Sequence, residues 1–333
     1  MNNTNHLYSL DLLRGFSGYG VAYCHLNAFL YNNSNYEYYS LLFVEFFFIL
    51  SGFVLYPQLI KVLNNKKNLI IFYKRRWIRT LPLYVIFLLL VSSIFDANFT
   101  NDFFKYLFFV QKISPNFLSN DYYPVAWSLS IEEFFYLFFP LIILLMGKKN
   151  IILKTIILFI SLITLKVFFA DMVNSNFFRT GTFFRFDAIL LGFILRYFHD
   201  KLFKIKYFSF LLLLFSLYFF NYFKDTILGQ EEVFFIKVLF VLFLQVISCL
   251  VLNSFFIFEY LINFNLFKKF STLVSRQTYS VYLMHIILIY LFEKLNLDTS
   301  YTLIFYMFLL FSISTFVYYF IERPLLKMRP KLQ

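Results

Sequence analysis

The sequence is poor in charge and in cysteine. Only 14% of its 333 residues are charged and 61% are hydrophobic, a composition that excludes an ordinary soluble domain. The two cysteines, Cys24 and Cys249, both fall within apolar stretches, so the sequence offers no disulfide framework and no cysteine metal site. It also lacks a glycine-rich phosphate loop and a paired metal-ligand motif. We therefore expect no metal ion, and any chemistry must take place within or at the edge of a bilayer.

Apolar runs long enough to cross a bilayer are abundant. They predict an all-α polytopic membrane protein of about ten transmembrane helices, forming a single domain over residues 1–333, with no soluble domain at either end. A short helix at 103–110, lying along or dipping into the membrane, is an open alternative to a loop. The predicted spans are residues 8–31, 36–59, 77–95, 126–146, 151–170, 183–199, 205–223, 233–257, 273–294 and 301–321.

The positive charges predict an orientation for this layout. Twenty lysines and arginines fall in the even-numbered connections and the tail, and five fall in the odd-numbered connections. Because positive charge is retained on the cytoplasmic side, both termini are predicted to be cytoplasmic. The net charge of +12 then reflects topology and contact with membrane lipids, and we expect no nucleic-acid partner.

Two residues whose side chains are energetically costly to place in a bilayer lie in the first predicted span. Arg14 and His25 are eleven positions apart, so on a helix they project from nearly the same face, about 16 Å apart along the axis. Intramembrane ionisable residues are candidates for function. This spacing suits a long ligand with an anionic end near Arg14 and a reactive end near His25. The alternative is an arginine at the membrane boundary and a histidine bonded between helices.

Two carboxylates are predicted at the depth of His25. His25 lies about 9 Å below the outer surface, and Glu45 and Glu132 each lie about 10 Å below it. A buried carboxylate beside His25 would fix its tautomer and raise its basicity, as a general base acting on a hydroxyl requires. Structural cross-linking of three helices is one alternative, and a proton-coupled transporter of a lipid or sugar is the other.

Several sequence blocks, in order over nearly the whole chain, resemble the bacterial membrane O-acyltransferase family called acyltransferase family three. Its arginine–ten residues–histidine signature falls on Arg14 and His25, and its Arg-x-x-Arg element falls on Arg76 and Arg79. Glu45 stands where the family often has aspartate. The resembling blocks are LDLLRGFSGYGVAYCHL (10–26), FVEFFFILSGFVLY (43–56), RRWIRTLPLY (75–84), WSLSIEEFFYLFFPL (127–141), FRFDAILLG (184–192), TYSVYLMH (278–285) and IERPL (321–325).

The resemblance implies transfer of an acyl group, usually acetyl, from cytoplasmic acyl-coenzyme A to a hydroxyl of a cell-surface glycan or lipid-linked sugar, at the bacterial inner membrane. His25 would be the general base, oriented by Glu45 or Glu132, although an acyl intermediate on His25 is an open alternative. We expect the stand-alone form of the family, without a fused hydrolase-like domain. The residues assigned to donor binding are Arg14, Arg75, Arg76, Arg79, Arg185 and His285.

Several of these assignments have alternatives. For Arg75, Arg76 and Arg79 the alternative is topological charge alone, and for His285 it is a hydrogen bond across helices. Arg185 and Asp187 are two residues apart and cannot pair on one helix, so we expect each to contact another span. The acceptor itself is open, and the outer loop 96–125 is the predicted place for its recognition.

Overall fold

The computed structural model describes residues 6–260, 264–295 and 301–332. Over these ranges the chain is helical and contains no strand. Three short 3₁₀ turns (Pro124–Ala126, Ala170–Met172, Phe183–Arg185) and one π-helical turn (Tyr318–Glu322) adjoin the α-helices. The α-helices are α1 Tyr8–Tyr31, α2 Ser34–Asn64, α3 Asn68–Ile94, α4 Asn101–Leu107, α5 Trp127–Met146, α6 Ile151–Phe168, α7 Ser175–Thr180, α8 Phe186–Tyr197, α9 His199–Lys204, α10 Lys206–Tyr222, α11 Lys224–Gly229, α12 Phe234–Phe255, α13 Asn265–Lys294, α14 Thr302–Val317 and α15 Arg323–Lys327.

Six helical segments among the described residues are long and apolar enough to cross a membrane, which supports the predicted all-helical membrane class. Four other predicted spans are also helical: α1 and α13 are long but carry polar residues along their length, and α8 and α10 are shorter than 18 residues. The count of ten spans and the orientation therefore stay predictions. The six segments are Ser34–Asn64, Asn68–Ile94, Pro124–Met146, Ile151–Phe168, Phe234–Phe255 and Thr302–Lys327.

The chain divides into two compact units, each assembled from separate stretches of sequence. The first comprises Met1–Leu50, Phe198–Gly229 and Leu242–Thr315, and the second comprises Ser51–Tyr197, Gln230–Val241 and Phe316–Gln333. Both units are built from helices, and α2 contributes its first half to one unit and its second half to the other. The prediction of a single domain over 1–333 stays a prediction.

In the first unit, α1 packs along α13. A side chain at Gly15 would place its Cβ 2.4 Å from Val274 Cγ2, and one at Gly18 would place it 2.8 Å from Thr278 Cγ2. Both distances are too short for a real contact, so the two glycines allow the close approach of the helices. Small residues at helix interfaces have this role in membranes, where apolar burial alone does not drive helices together.

In the second unit, the later half of α2 packs closely against α8. A Cβ at Gly52 would lie 1.8 Å from the carbonyl oxygen of Ile189, so only glycine fits at this crossing. The C-terminal π-helical turn and α15 pack on α3, which carries the Arg-x-x-Arg element. Ser51 and the start of α3 thus lie in the same unit as α5 and the C-terminal segment.

Candidate active site

The first unit contains a pair of hydrogen-bonded histidines. His25 of α1 and His285 of α13 approach with 3.1 Å between His25 Nδ1 and His285 Nε2, and their ring centroids lie 5.2 Å apart. His285 is 1% exposed, whereas His25 keeps some accessible surface. The Tyr306 hydroxyl of α14 donates to the carbonyl oxygen of His285 at 2.9 Å. The cross-helix hydrogen bond expected as one alternative for His285 is thus present, and its partner is His25.

The two carboxylates predicted near His25 belong to different units. Glu45 lies in the first unit, is 3% exposed, and is within electrostatic reach of the Cys249 thiol. Glu132 lies in the second unit. The role of either carboxylate in orienting His25 stays a prediction. Arg14, eleven positions before His25 on α1, is partly buried.

The second unit holds a polar network around Glu132. Its carboxylate accepts from the Ser51 hydroxyl at 2.5 Å and from the Tyr136 hydroxyl at 3.0 Å. The Arg76 guanidinium lies 4.6 Å from the Tyr136 ring centroid, within electrostatic reach of Glu132 and Glu133. A cation over an aromatic face is attracted to the ring, and this attraction strengthens when water is excluded. The network therefore connects the Arg-x-x-Arg element of α3 to the acidic residue of α5.

Partial signals in the sequence point to the members of this network that the predictions omitted. Tyr136 is four residues after Glu132 on α5, a spacing that puts the two side chains on one helix face. Ser51 adjoins Gly52 in a block that carries the family resemblance, but its partner lies on another helix and could not be read from spacing. Glu133, which is 8% exposed, adds a buried carboxylate next to the partly buried Glu132.

Four arginines crowd together on the second unit. Arg75, Arg76 and Arg79 of α3 are joined by Arg329 of the C-terminal segment, and Arg75 Nη1 donates to the Pro330 carbonyl at 2.5 Å. Burial, followed by the charges of Arg79, Arg75 and Arg76, lowers the pKa of Arg329 to about 9, and Glu322 opposes this shift. We call these four residues the arginine cluster.

The arginine cluster has unused hydrogen-bonding capacity. The Nε atoms of Arg75, Arg76 and Arg329 are buried and have no hydrogen-bond partner among the described residues. Guanidinium groups that repel one another and retain unmade bonds suit a ligand with several negative charges, because each can bind a phosphate or carboxylate through two parallel bonds. The sequence reading counted Arg329 only as topological charge, since nothing in its spacing connects it to α3.

Arg185 and Asp187 are both buried in the second unit at 1% exposure. Asp187 Oδ2 accepts from Lys166 Nζ of α6 at 2.9 Å, and its Oδ1 accepts from the Ala188 amide at 2.9 Å. Asp187 thus contacts another helix, as expected, and its partner Lys166 was not anticipated. The donor-binding role of Arg185 stays a prediction.

The loop between α3 and α5 is organised by Asp102 of α4. Its carboxylate accepts from Lys105 at 2.8 Å and from the amides of Ser119 and Asn120. Burial acts to raise the pKa of Asp102, but the hydrogen bonds from Lys105, Asn120 and Ser119 together lower it. This part of the loop therefore has a defined shape, and α4 corresponds to the short helix considered at 103–110.

No group of three or more histidine, cysteine or acidic side chains in the described part of the chain is placed to hold a metal ion. The candidate chemical groups described above are the histidine pair, the Glu132 network and the arginine cluster.

Comparisons with known proteins agree on one family. The model of acyltransferase family three, described as an acyltransferase domain, matches residues 7–323. An uncharacterized protein of Haemophilus influenzae is 32% identical over 193 residues, which cover 49% of this chain and 77% of that protein. The O-acetyltransferase OatA of Staphylococcus aureus is 33% identical over 226 residues, which cover 59% of this chain but 35% of OatA. No solved structure matches the chain significantly.

The Lys166–Asp187 pair gives a test of how the second unit tolerates buried charge. Asp187→Asn removes the partner of a buried ammonium group and is expected to lower the free energy of unfolding by about 3–5 kcal/mol. The double variant Lys166→Met/Asp187→Leu should recover more than half of this loss, because neither charge then has to be desolvated. Thermal unfolding in detergent micelles, followed by differential scanning calorimetry, measures both effects.

Asp200→Asn, at a carboxylate whose side chain is 75% exposed, is the matched control and should unfold like the wild type. Unfolding of Asp187→Asn at the wild-type temperature would contradict a stabilising role for the pair.

Proposed function

Since the chain belongs to acyltransferase family three and is a membrane-embedded, multi-pass acyltransferase, we propose that it moves an acetyl group from acetyl-coenzyme A to a hydroxyl of a cell-surface glycan or a lipid-linked sugar. The observation that carries the proposal is the histidine pair: His25 is partly accessible and is held by a buried partner inside a bundle of helices. The name of the staphylococcal relative OatA supports acetyl as the group and oxygen as its acceptor.

In this proposal His25 is the general base. The acceptor hydroxyl gives its proton to the His25 imidazole as its oxygen attacks the thioester carbonyl carbon. The carbon–sulfur bond then breaks, and the sulfur of coenzyme A leaves with the proton carried by the imidazolium. Glu45 and Glu132 are the proposed carboxylates; Glu45 is buried and Glu132 is partly buried, and exclusion of water strengthens the electrostatic effect of a charge.

The arginine cluster is the proposed site for the phosphates of the donor. Coenzyme A carries three phosphate groups, and Arg75, Arg76, Arg79 and Arg329 offer guanidinium donors, of which three Nε atoms lack partners among the described residues. Arg14 and Arg185 are further residues proposed to bind the donor. The pantetheine arm would run along α1 from Arg14 to His25, a length of about 16 Å.

We propose that ten spans place both termini and the arginine cluster at the cytoplasmic side of a bacterial inner membrane. The bias of lysine and arginine between alternate connections supports this orientation. Acyl-coenzyme A is cytoplasmic, and the proposed acceptor approaches from the other face, where the loop ordered by Asp102 would contact it. The acyl group then crosses the bilayer during catalysis.

The test of the proposed function separates donor binding from turnover. Purified wild-type protein and His25→Ala in lipid are both expected to bind acetyl-coenzyme A, and only the wild type should release coenzyme A when a crude surface-glycan acceptor is added. We expect turnover to fall by about 100-fold or more in the variant, because a general base typically contributes 10²–10⁴-fold. His199→Ala, at a histidine remote in sequence from the motif, is the control.

Two outcomes would contradict the proposal. Full turnover by His25→Ala would show that His25 is not the general base. Absence of acetyl-coenzyme A binding by wild type and variant alike would favour the transporter interpretation, in which the buried charges line a translocation path.

Arg329 gives a second prediction. Arg329→Ala is expected to weaken coenzyme A binding by about 10-fold or more, as loss of a charge-assisted hydrogen bond would. Because the pKa of Arg329 is lowered to about 9, its positive charge is present below that pH and is lost as the pH rises through it. Between pH 8 and pH 10, about one pH unit on either side of the pKa, the affinity of the wild type for coenzyme A should therefore fall more than the affinity of Arg329→Ala does. Calorimetric titration with coenzyme A measures this difference.

Lys331→Ala removes the same charge from an exposed position two residues away and serves as the control. Equal weakening by Lys331→Ala and Arg329→Ala would show a general charge effect and would exclude a specific phosphate contact at Arg329.

A further inference from the structure

The histidine pair has a defined direction of hydrogen bonding, which starts from the backbone of α13. His285 Nδ1 lies 2.7 Å from the carbonyl oxygen of Tyr282 and 3.2 Å from that of Val281. A carbonyl oxygen accepts hydrogen bonds and has no hydrogen to donate. His285 Nδ1 must therefore carry a hydrogen, whatever the protonation state of the rest of the ring.

This arrangement determines the tautomer of His285. A neutral imidazole carries one ring hydrogen, and in His285 it is on Nδ1, so Nε2 has the lone pair. His285 is 1% exposed and its neighbours Leu283 and Leu288 are buried apolar side chains. A charged imidazolium is costly in such surroundings, so the neutral ring is the resting form.

The tautomer of His25 follows from that of His285. His285 Nε2 is an acceptor, and the atom 3.1 Å from it is His25 Nδ1. His25 Nδ1 must then donate, and the lone pair of the neutral His25 ring lies on Nε2. No hydrogen bond occupies His25 Nε2 among the described residues, and the ring keeps accessible surface.

We propose that His285 is a positioning residue that fixes His25 in the tautomer with its lone pair on Nε2, so that Nε2 is the atom that receives the acceptor's proton. This inference rests on the proposed function of His25. It assigns His285 a role different from donor binding. The α13 carbonyl oxygens accept from His285 Nδ1, which leaves His285 Nε2 as the acceptor for His25 Nδ1. The hydrogen bond from Tyr306 to the His285 carbonyl holds this part of α13 in place.

The proposed arrangement has a chemical consequence. When His25 Nε2 takes a proton, the imidazolium keeps its Nδ1 hydrogen bond to His285 Nε2, so no proton has to move within the pair. A neutral acceptor stabilises this imidazolium less than a carboxylate would, which favours return of the proton to the leaving sulfur. The pair thus orients the base without trapping it in the charged form.

Nitrogen-15 solid-state NMR on protein in lipid tests the tautomer directly. The chain has four histidines, so His6→Gln/His199→Gln leaves only the pair to be observed. With ring-labelled histidine, we expect both remaining rings to show a protonated Nδ1 and an unprotonated Nε2. A His25 ring protonated at Nε2 would overturn the proposal, and this result needs no further variant.

Substitutions of His285 test its effect on the reaction. His285→Leu removes the acceptor, so the His25 signals should become a mixture of the two tautomers, with kcat reduced about 10- to 100-fold and KM for acetyl-coenzyme A unchanged. His285→Gln offers a carbonyl oxygen as acceptor and should restore much of both. A rise in KM with kcat unchanged would instead assign His285 to donor binding.

The positioning role of His285 and the proposed function of His25 are contradicted by different results. If His285→Leu leaves the His25 tautomer unaltered, the positioning role is wrong even where turnover is normal. If the tautomer is as expected but His25→Ala retains turnover, the proposed function of His25 is wrong, whatever His285 does to its ring.

Discussion

The structure depends on the cost of burying polar groups among apolar helices. In a chain that is 61% hydrophobic, each buried ionisable side chain must obtain a partner or remain a source of instability. The partners found are an imidazole for His25, hydroxyl groups for Glu132 and an ammonium group for Asp187. Each of these contacts, for Glu132 the one from Ser51, joins two helices within one unit, so the interactions that offset the burial of charge also position candidate functional residues in that unit.

The arginine cluster is the feature of the second unit that best indicates a ligand. The buried charges of Lys166 and Asp187 are paired, whereas Arg75, Arg76 and Arg329, three members of one cluster of like charge, bury Nε atoms without hydrogen-bond partners in the described residues. Burial, and after it the charges of Arg79, Arg75 and Arg76, lowers the pKa of Arg329. Such an arrangement is costly for the free protein and becomes favourable when an anion with several charges binds, which agrees with a phosphate-rich donor for an acyltransferase.

Much of the architecture could be predicted from sequence, because long apolar runs have few other solutions than membrane helices. The family and the residues of its motifs could also be identified, because Arg14 and His25 have the spacing of the family's arginine–ten residues–histidine signature. Partners across helices were not: nothing in the spacing joins Ser51 to Glu132, Lys166 to Asp187, or Arg329 to Arg75. The number of membrane-spanning helices was hardest to predict. The helices α1 and α13 contain the polar residues on which the proposed chemistry depends, and these residues make them less apolar.

The central claim is that the reaction takes place within the membrane bundle, with donor and acceptor on opposite faces. The most direct measurement uses sealed proteoliposomes of uniform orientation, with radiolabelled acetyl-coenzyme A added only at the face that carries the arginine cluster and glycan acceptor present on both faces. The account predicts labelled acceptor on the opposite face. Label confined to the face where acetyl-coenzyme A was added would contradict it.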